Sequence, residues 1–450
     1  MANLPYSVCQ ICHTLYGEFD IFDFSFYTHN MAKEVYRNRL IDSVIKKYLS
    51  LFKAVCIEGP KASGKTWAAK QCAKSEIMIG DPSDSFANRR LASLDVMAAL
   101  RGEEPHLIDE WQEVPAIWDA VRAEVDKDSR RGRFILTGSS TPDKKGVLHS
   151  GTGRIPSIQL RPMSLYESGE SSGRISLSSL FEGEFEGSVD SGQVLLTDIA
   201  KYIVRGGWPA AIDFSAEDAA YFARAYIDGI ISEDVPRVAP STDLAKITRF
   251  MRSLARNEST TASRNTIRKD FNGEISDDTA SSYTTILTRL FQLDDIPPYS
   301  PEVRSFLRVK QMSKHHYVDP SIPAALLRLN VRSLMNDLQT FGFLFESLAL
   351  RDLLIYSSAN GFNLYHYQDY RDNEVDAVVE AEDGTFGLIE IKLGTGDIEK
   401  GIKSLLKTNK ALIETSGKGA RFLCVLSGLT PYAYKDTSGV IVVPLTALRP

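Results

Sequence analysis

The chain lacks any apolar run approaching the roughly 20 residues that cross a bilayer, which excludes a helical membrane span. It is also poor in cysteine. The five present (Cys9, Cys12, Cys56, Cys72 and Cys424) are odd in number and scattered, which speaks against a disulfide framework. No charged-then-apolar leader opens the chain, and together these absences lead us to expect a cytoplasmic protein. Basic excess is missing as well: the net charge of -6 offers no global field for nucleic acid, so any such partner needs a local patch. Cys9-x-x-Cys12 has no second closely spaced pair to complete a four-ligand zinc site. What is present is ordinary for a globular protein, with 43% apolar and 24% charged residues, and 450 residues divide into roughly two to four domains.

The first 30 residues are aromatic-rich and carry no clear periodicity, whereas Val35, Leu40, Ile41, Ile45 and Leu49 mark a helix after Met31. Met31 is therefore a candidate start in place of Met1, and a peptide from upstream of Met31 found by mass spectrometry would exclude it. Ala54 to Glu58 then reads as a buried strand, followed by Gly59-Pro60-Lys61-Ala62-Ser63-Gly64-Lys65-Thr66 and a helical run from Trp67. Strand, Gly-rich loop and helix form a phosphate cradle. The glycines let backbone N–H groups turn inward, the helix start adds its positive end, Lys65 reaches the outer phosphates of ATP and the Thr66 hydroxyl meets Mg²⁺.

A cradle predicts binding, while hydrolysis needs further groups. His106-Leu107-Ile108-Asp109-Glu110 is an apolar strand ending in two acids, of which Asp109 suits the Mg²⁺ shell and Glu110 suits a base that polarises water. Arg133 to Ser140 is another buried strand ending in hydroxyls, with Thr137 the first choice beside the γ-phosphate. Arg154, ahead of a strand at 157 to 160, is a candidate to neutralise transition-state charge in its own or a neighbouring subunit of an oligomer. Strands expected at 54–58, 92–96, 105–108, 133–137 and 157–160, alternating with helices, imply a parallel α/β sheet with the phosphates at its carboxyl edge.

These phrases, with Tyr36-Arg37-Asn38-Arg39-Leu40, Trp111-Gln112, His149 to Ile155 and Arg161 to Glu167, resemble a prokaryotic family of AAA-type ATP-binding proteins. That family carries a C-terminal domain of unknown function with a restriction-endonuclease-like fold. The resemblance runs from about Tyr36 to the end and implies ATPase architecture. Ser63 stands where such proteins often have Cys, a change without effect on backbone phosphate contacts.

Residues 167 to 195 read as a loop-rich exit, Gly206 to Ala210 as a turn, and Asp218 to Ile231 as an amphipathic helix broken by Ser232 to Arg237, forming a helical lid. Helices at 244–254, 265–272 and from the N-cap Ser276 through Leu290, then a strand-like Ser305 to Lys310, suggest a winged-helix-like layout. Its 12 basic against nine acidic side chains are a mild bias, so DNA or RNA contact through Ser281, Ser282, Thr284 and Thr285 stands beside a purely packing role.

A helix from Leu338 to Tyr356 carries Glu346 on an otherwise apolar surface, and Asn373 to Val379 with Phe386 to Lys392 reads as a β-hairpin. Residues two apart share a strand face, so Glu390 and Lys392 point together and pairing brings Asp376 beside them. This is the PD-(D/E)xK arrangement, and it matches the C-terminal domain of the resembled family. Asp376, Glu390 and Glu346 are then candidate metal ligands, and Lys392 the group that positions water. Lys400, Lys403, Lys407, Lys410, Lys418 and Arg421 offer a basic wall for a nucleic-acid backbone.

The expected fold class is α/β: an extension at 1–30, a P-loop NTPase parallel-sheet domain at 31–205, a lid at 206–236, a winged-helix-like middle at 237–310 and a restriction-endonuclease-like domain at 311–450. Two functions fit that plan. One is an ATPase coupled to a nuclease-like domain acting on nucleic acid. The other is an ATP-driven switch whose nuclease-like domain binds without cutting.

Overall fold

The computed structural model describes residues 36–140, 151–185, 187–261, 264–271, 275–301, 312–369, 371 and 373–450. The elements below belong to the compact unit Asn38–Pro450.

The amino-terminal elements are α1 (Ile41–Leu51), β1 (Ala54–Glu58), α2 (Lys65–Lys70), β2 (Ser75–Met78), α3 (Ser83–Leu94), β3 (His106–Asp109), α4 (Ala116–Asp126), β4 (Phe134–Gly138) and β5 (Ser157–Gln159). The strands form a parallel sheet in the order β2-β3-β4-β1-β5. Strands β1, β3 and β4 are apolar almost throughout because helices cover both faces, as parallel sheets require. Register pairs Ile57 with Thr137 and Ile108 with Leu136, so the carboxyl ends of β1, β4 and β3 lie side by side. The strand expected at 92–96 is helical instead. Ala92 ends the apolar face of α3, and Ala99 and Leu100 follow in a 3-10 turn, all packing against the sheet. The strand that completes the edge is β2, whose half-exposed Ser-Glu-Ile-Met carries little hydrophobic signal.

After β5 come α5 (Leu165–Ser168), β6 (Ile175–Ser176), α6 (Leu177–Glu182), β7 (Ser188–Asp190) and α7 (Leu196–Arg205). A helical region follows: α8 (Ala216–Gly229), a π turn at Ile230–Asp234, α9 (Val235–Val238), α10 (Leu244–Arg256), α11 (Arg264–Lys269), α12 (Asp277–Arg289) and α13 (Ser321–Leu326). Trp208, Phe250, Tyr283 and Tyr317 anchor its core. Ser276 caps α12 as expected, its hydroxyl accepting from Thr279 N at 3.1 Å. The strand-like Ser305 to Lys310 lies outside the described residues.

The carboxyl-terminal part comprises α14 (Val331–Asn336), α15 (Leu338–Asn360), β8 (Asn363–Gln368), β9 (Glu374–Glu380), β10 (Phe386–Lys392), α16 (Ile398–Ser416), β11 (Phe422–Ser427), β12 (Tyr432–Lys435), β13 (Ile441–Pro444) and β14 (Leu448–Arg449). The expected hairpin is present as antiparallel β9 and β10, and β10 continues through α16 to a parallel β11. The sheet order is β7-β12-β13-β11-β10-β9-β8, and β14 pairs with β6. Residues 165–205 therefore do not finish the ATPase sheet. Leu177, Ile199 and Ile203 share one core with Phe345, Val379 and Leu448, across the boundary expected at 205.

Buried polar groups tie these parts together. Glu258 accepts from Tyr317 N at 3.1 and 3.2 Å and from the Ser347 hydroxyl at 2.7 Å. Burial pushes its carboxyl from an ordinary 4.5 up to about 8, Ser347 and Tyr317 opposing and Asp295 and Glu346 adding to the rise. His316, with Nδ1 3.6 Å away, is driven toward its neutral form by the same burial. Between pH 4.5 and about 8 the fold thus holds a proton that the unfolded chain releases, and the stability this gives at low pH is lost as pH rises through about 8. Glu258→Gln is expected to exceed the parent in stability by roughly 1–3 kcal/mol at pH 8 and to approach it near pH 5. Thermal melts at both values check this, and an equal difference at the two would reject it.

Candidate functional site

The loop between β1 and α2 takes its shape from a few backbone constraints. Gly59 has a φ of +153°, and a Cβ there would lie 2.2 Å from Leu160 O at the end of β5, so only glycine fits. Gly64, with a φ of +93°, turns the chain into α2. Lys65 is 5% exposed and folds back over the loop, donating to Gly59 O at 3.0 Å and Pro60 O at 2.8 Å. Burial draws its ammonium down to about 8, with Glu110 and Asp109 opposing.

The two acids at the end of β3 meet this loop. Asp109 Oδ1 accepts from the Thr66 hydroxyl at 2.7 Å and from the Thr137 hydroxyl at 2.6 Å. Burial raises the Asp109 pKa, while those two hydroxyls pull it down. Glu110 has a left-handed φ of +55°, a conformation costly for a non-glycine residue and held here by its N–H bond to Thr137 Oγ1 at 3.1 Å. Its carboxylate accepts from Ser139 Oγ at 2.9 Å and from Gln112 Nε2. Thr137 thus sets the two acids in place and is fully enclosed, whereas Ser139 is the hydroxyl that faces Glu110.

Beside these groups lies a cavity of about 570 Å³ lined by Lys61, Glu110, Ser139, Asp234, Arg237 and Arg289. Lys61 Nζ bonds Asp234 Oδ1, so a P-loop side chain is ion-paired with the π turn after α8. On the other side, Arg39 donates to Ser63 O at 2.8 Å, to Arg161 O at 2.8 Å and to Glu167 at 3.0 Å. Sequence spacing linked none of these partners. A charged break in the helical pattern at Ser232 to Arg237 was the one available signal.

The residues fit a nucleoside triphosphate with Mg²⁺. Gly59 leaves a cradle that a Cβ would fill, and Thr66 with Asp109 presents the hard oxygen donors this ion prefers. Bound there, Mg²⁺ would neutralise phosphate charge. Arg154 is not brought to this place. It pairs with Asp126 Oδ1 at 2.7 Å at the end of α4, on the side of the sheet where β1 and β5 begin, opposite the loop of its own chain.

The carboxyl-terminal residues do converge. Lys392 Nζ contacts Glu390 Oε2 at 2.5 Å and Asp376 Oδ2 at 3.3 Å, and Asp376 Oδ2 also accepts from Ile391 N at 2.8 Å. Glu346 approaches from α15, but the group it meets is Lys314, at 2.5 Å. Lys314 is 2% exposed, and its ammonium also stands 3.7 Å from Asp376 Oδ1 and 3.8 Å from Glu374 Oε1. Burial drives the Glu346 and Glu390 pKa values up to about 7, while Lys314 and Lys392 hold Asp376 below the usual carboxylate value against its own burial. The metal expected on Glu346, Asp376 and Glu390 would compete here with two ammonium groups, which engage one oxygen of each carboxylate. Among the described residues, no group of three or more His, Cys, Asp or Glu side chains is arranged to hold a metal ion.

Thr284 and Thr285 spend their hydroxyls on Ala280 O and Ser281 O of their own helix. In the lysine-rich wall, Lys400, Lys403 and Lys410 pair with Asp397, Glu399 and Glu414. No helix among the described residues is long and apolar enough to cross a membrane.

Residues 51–169 match an AAA domain, residues 196–333 a domain of unknown function (DUF8612), and residues 341–448 a second domain of unknown function (DUF4143). Uncharacterized proteins of Mycobacterium tuberculosis and Mycobacterium bovis are each 23% identical over 404 residues, spanning 89% of this chain and 82% of theirs. The Walker-type ATPase PABY2304 of Pyrococcus abyssi is 15% identical with a TM-score of 0.43, covering 66% of this chain and 97% of that one. The chain thus joins an α/β P-loop domain similar to AAA ATPases to two domains whose families carry no assigned function.

Proposed function

We propose that the chain binds and hydrolyses ATP and works as a nucleotide-driven switch whose carboxyl-terminal domain is a non-catalytic binding module. The observation that carries this reading is the ion pair between Lys61 of the phosphate loop and Asp234 of the helical region. A triphosphate entering the loop competes for Lys61, so its arrival loosens Asp234 and the π turn, and its hydrolysis restores them. Glu110, beside Ser139 and Gln112, is the base for the attacking water. Arg237 and Arg289 line the same cavity and are placed to meet phosphate charge.

Phosphodiester cleavage of DNA or RNA draws support from Asp376, Glu390 and Lys392 lying together, but the metal such chemistry needs meets Lys314. The test is phosphate release from Mg²⁺–ATP by the purified chain, combined with hydrogen exchange across residues 230–238 with and without nucleotide. Hydrolysis with an ATP-dependent change in exchange is expected. No hydrolysis removes the ATPase, and hydrolysis with unchanged exchange removes the switch.

A further inference from the structure

Lys314 arrives at the carboxylates on a rigid mount. Its backbone exchanges hydrogen bonds with Ile296 at 2.9 and 3.0 Å, and the next residue, His315, donates to Thr260 O at 2.9 Å. The side chain then runs inward until its ammonium contacts Glu346 Oε1 at 2.5 Å and faces Asp376 Oδ1 and Glu374 Oε1 at 3.7 and 3.8 Å. The opposite oxygen of Asp376 is taken by Ile391 N–H and by Lys392, which also holds Glu390. Three inward carboxylates are therefore bracketed by two lysines. A divalent ion binding these oxygens must approach them within roughly 2.0–2.6 Å and would stand beside the buried Lys314 ammonium, whose charge repels it.

We infer that Lys314 is the resident cation of this cluster, standing where a divalent ion would otherwise sit, so that the native chain takes no metal on Glu346, Asp376 and Glu390. The cluster is then an ionic lock joining three parts of the fold: the bridge at Ile296 and Lys314, helix α15, and the β9–β10 hairpin. This inference deepens the non-catalytic reading of the carboxyl-terminal domain and is separate from the ATPase, which concerns other residues.

The test is Mn²⁺ titration of the nucleotide-free full chain, followed by electron paramagnetic resonance. Wild type is expected to show no Mn²⁺ signal that Asp376→Asn removes. Lys314→Met, which keeps the stem and deletes the charge, is expected to gain a single Mn²⁺ site at least about tenfold tighter than any in wild type, lost again when Asp376→Asn is added. Circular dichroism establishes that each variant is folded, with Lys314→Gln replacing the Met variant if that one is not. An Asp376-dependent Mn²⁺ site in wild type overturns the inference outright. A folded Lys314 variant that gains no site overturns the role given to the lysine.

Discussion

Glu110→Gln protein is expected to bind ATP as the parent does and to hydrolyse it roughly 10²–10⁴ times more slowly, the usual contribution of a positioned general base. The amide keeps the size of the carboxylate and can still meet Ser139 and Gln112, but it cannot accept a proton from water. Nucleotide binding rests on groups the change leaves alone: the loop backbone, Lys65 and Thr66. Equilibrium binding of a fluorescent ATP analogue beside steady-state phosphate release separates the two effects, with Lys65→Ala as the variant that loses binding. Hydrolysis within about threefold of the parent would exclude Glu110 as the base.

Arg351→Met is expected to lower stability by roughly 3–5 kcal/mol, the cost of stranding the partner of a buried ion pair. Arg351 is 1% exposed and donates to Asp352 Oδ1 at 2.8 and 3.0 Å and to Asp319 Oδ2 at 3.0 Å. Both acids have work beyond this pairing. Asp352 accepts from Leu165 N at 3.0 Å, Asp319 from Gly207 N at 2.9 Å, so one guanidinium pins α15 to the segment after β5 and to the start of the helical region. Burial already raises the Asp352 pKa against the pull of Arg351. Without the arginine that carboxyl shifts further up, so the deficit should widen as pH rises, because the unfolded chain then releases a proton that the fold retains. Urea unfolding followed by tryptophan fluorescence at pH 5 and pH 8 measures both the loss and its trend. A loss under about 1 kcal/mol at either pH would show that packing alone holds this junction.

The phosphate loop and the acids at Asp109-Glu110 were legible in the sequence because each is a local pattern whose meaning survives without its neighbours. The β9–β10 hairpin was legible for the same reason: alternation and a turn fix its register, and the register places Asp376 beside Glu390 and Lys392. Lys314 was not, since a lysine in a short bridge gives no hint that Glu346, 32 residues on, will be its partner. Asp234 was visible only as a charged break in a helix, and its meeting with Lys61, 173 residues earlier, is tertiary. Strand β2 was missed because an edge strand needs no apolar run. Residues 167 to 195 were read as loop because Ser, Gly and Glu mask the few apolar positions, such as Leu177, Leu180 and Phe185, that enter the core.

The order in which the chain is synthesised adds a demand to this arrangement. Strand β6 finds its partner in β14, and β7 in β12, so sites made before residue 200 wait for residues made after 430. At ordinary elongation rates that wait is roughly 12–50 s, long compared with the folding time of a small domain. During it the core that holds Leu177, Leu180, Ile199 and Ile203 stays incomplete, lacking Leu426, Val443 and Leu448. The nascent protein therefore presents a sticky segment to the ribosome exit and its attendant chaperones until translation reaches Leu448, and slowing codons upstream of that point would lengthen the exposure.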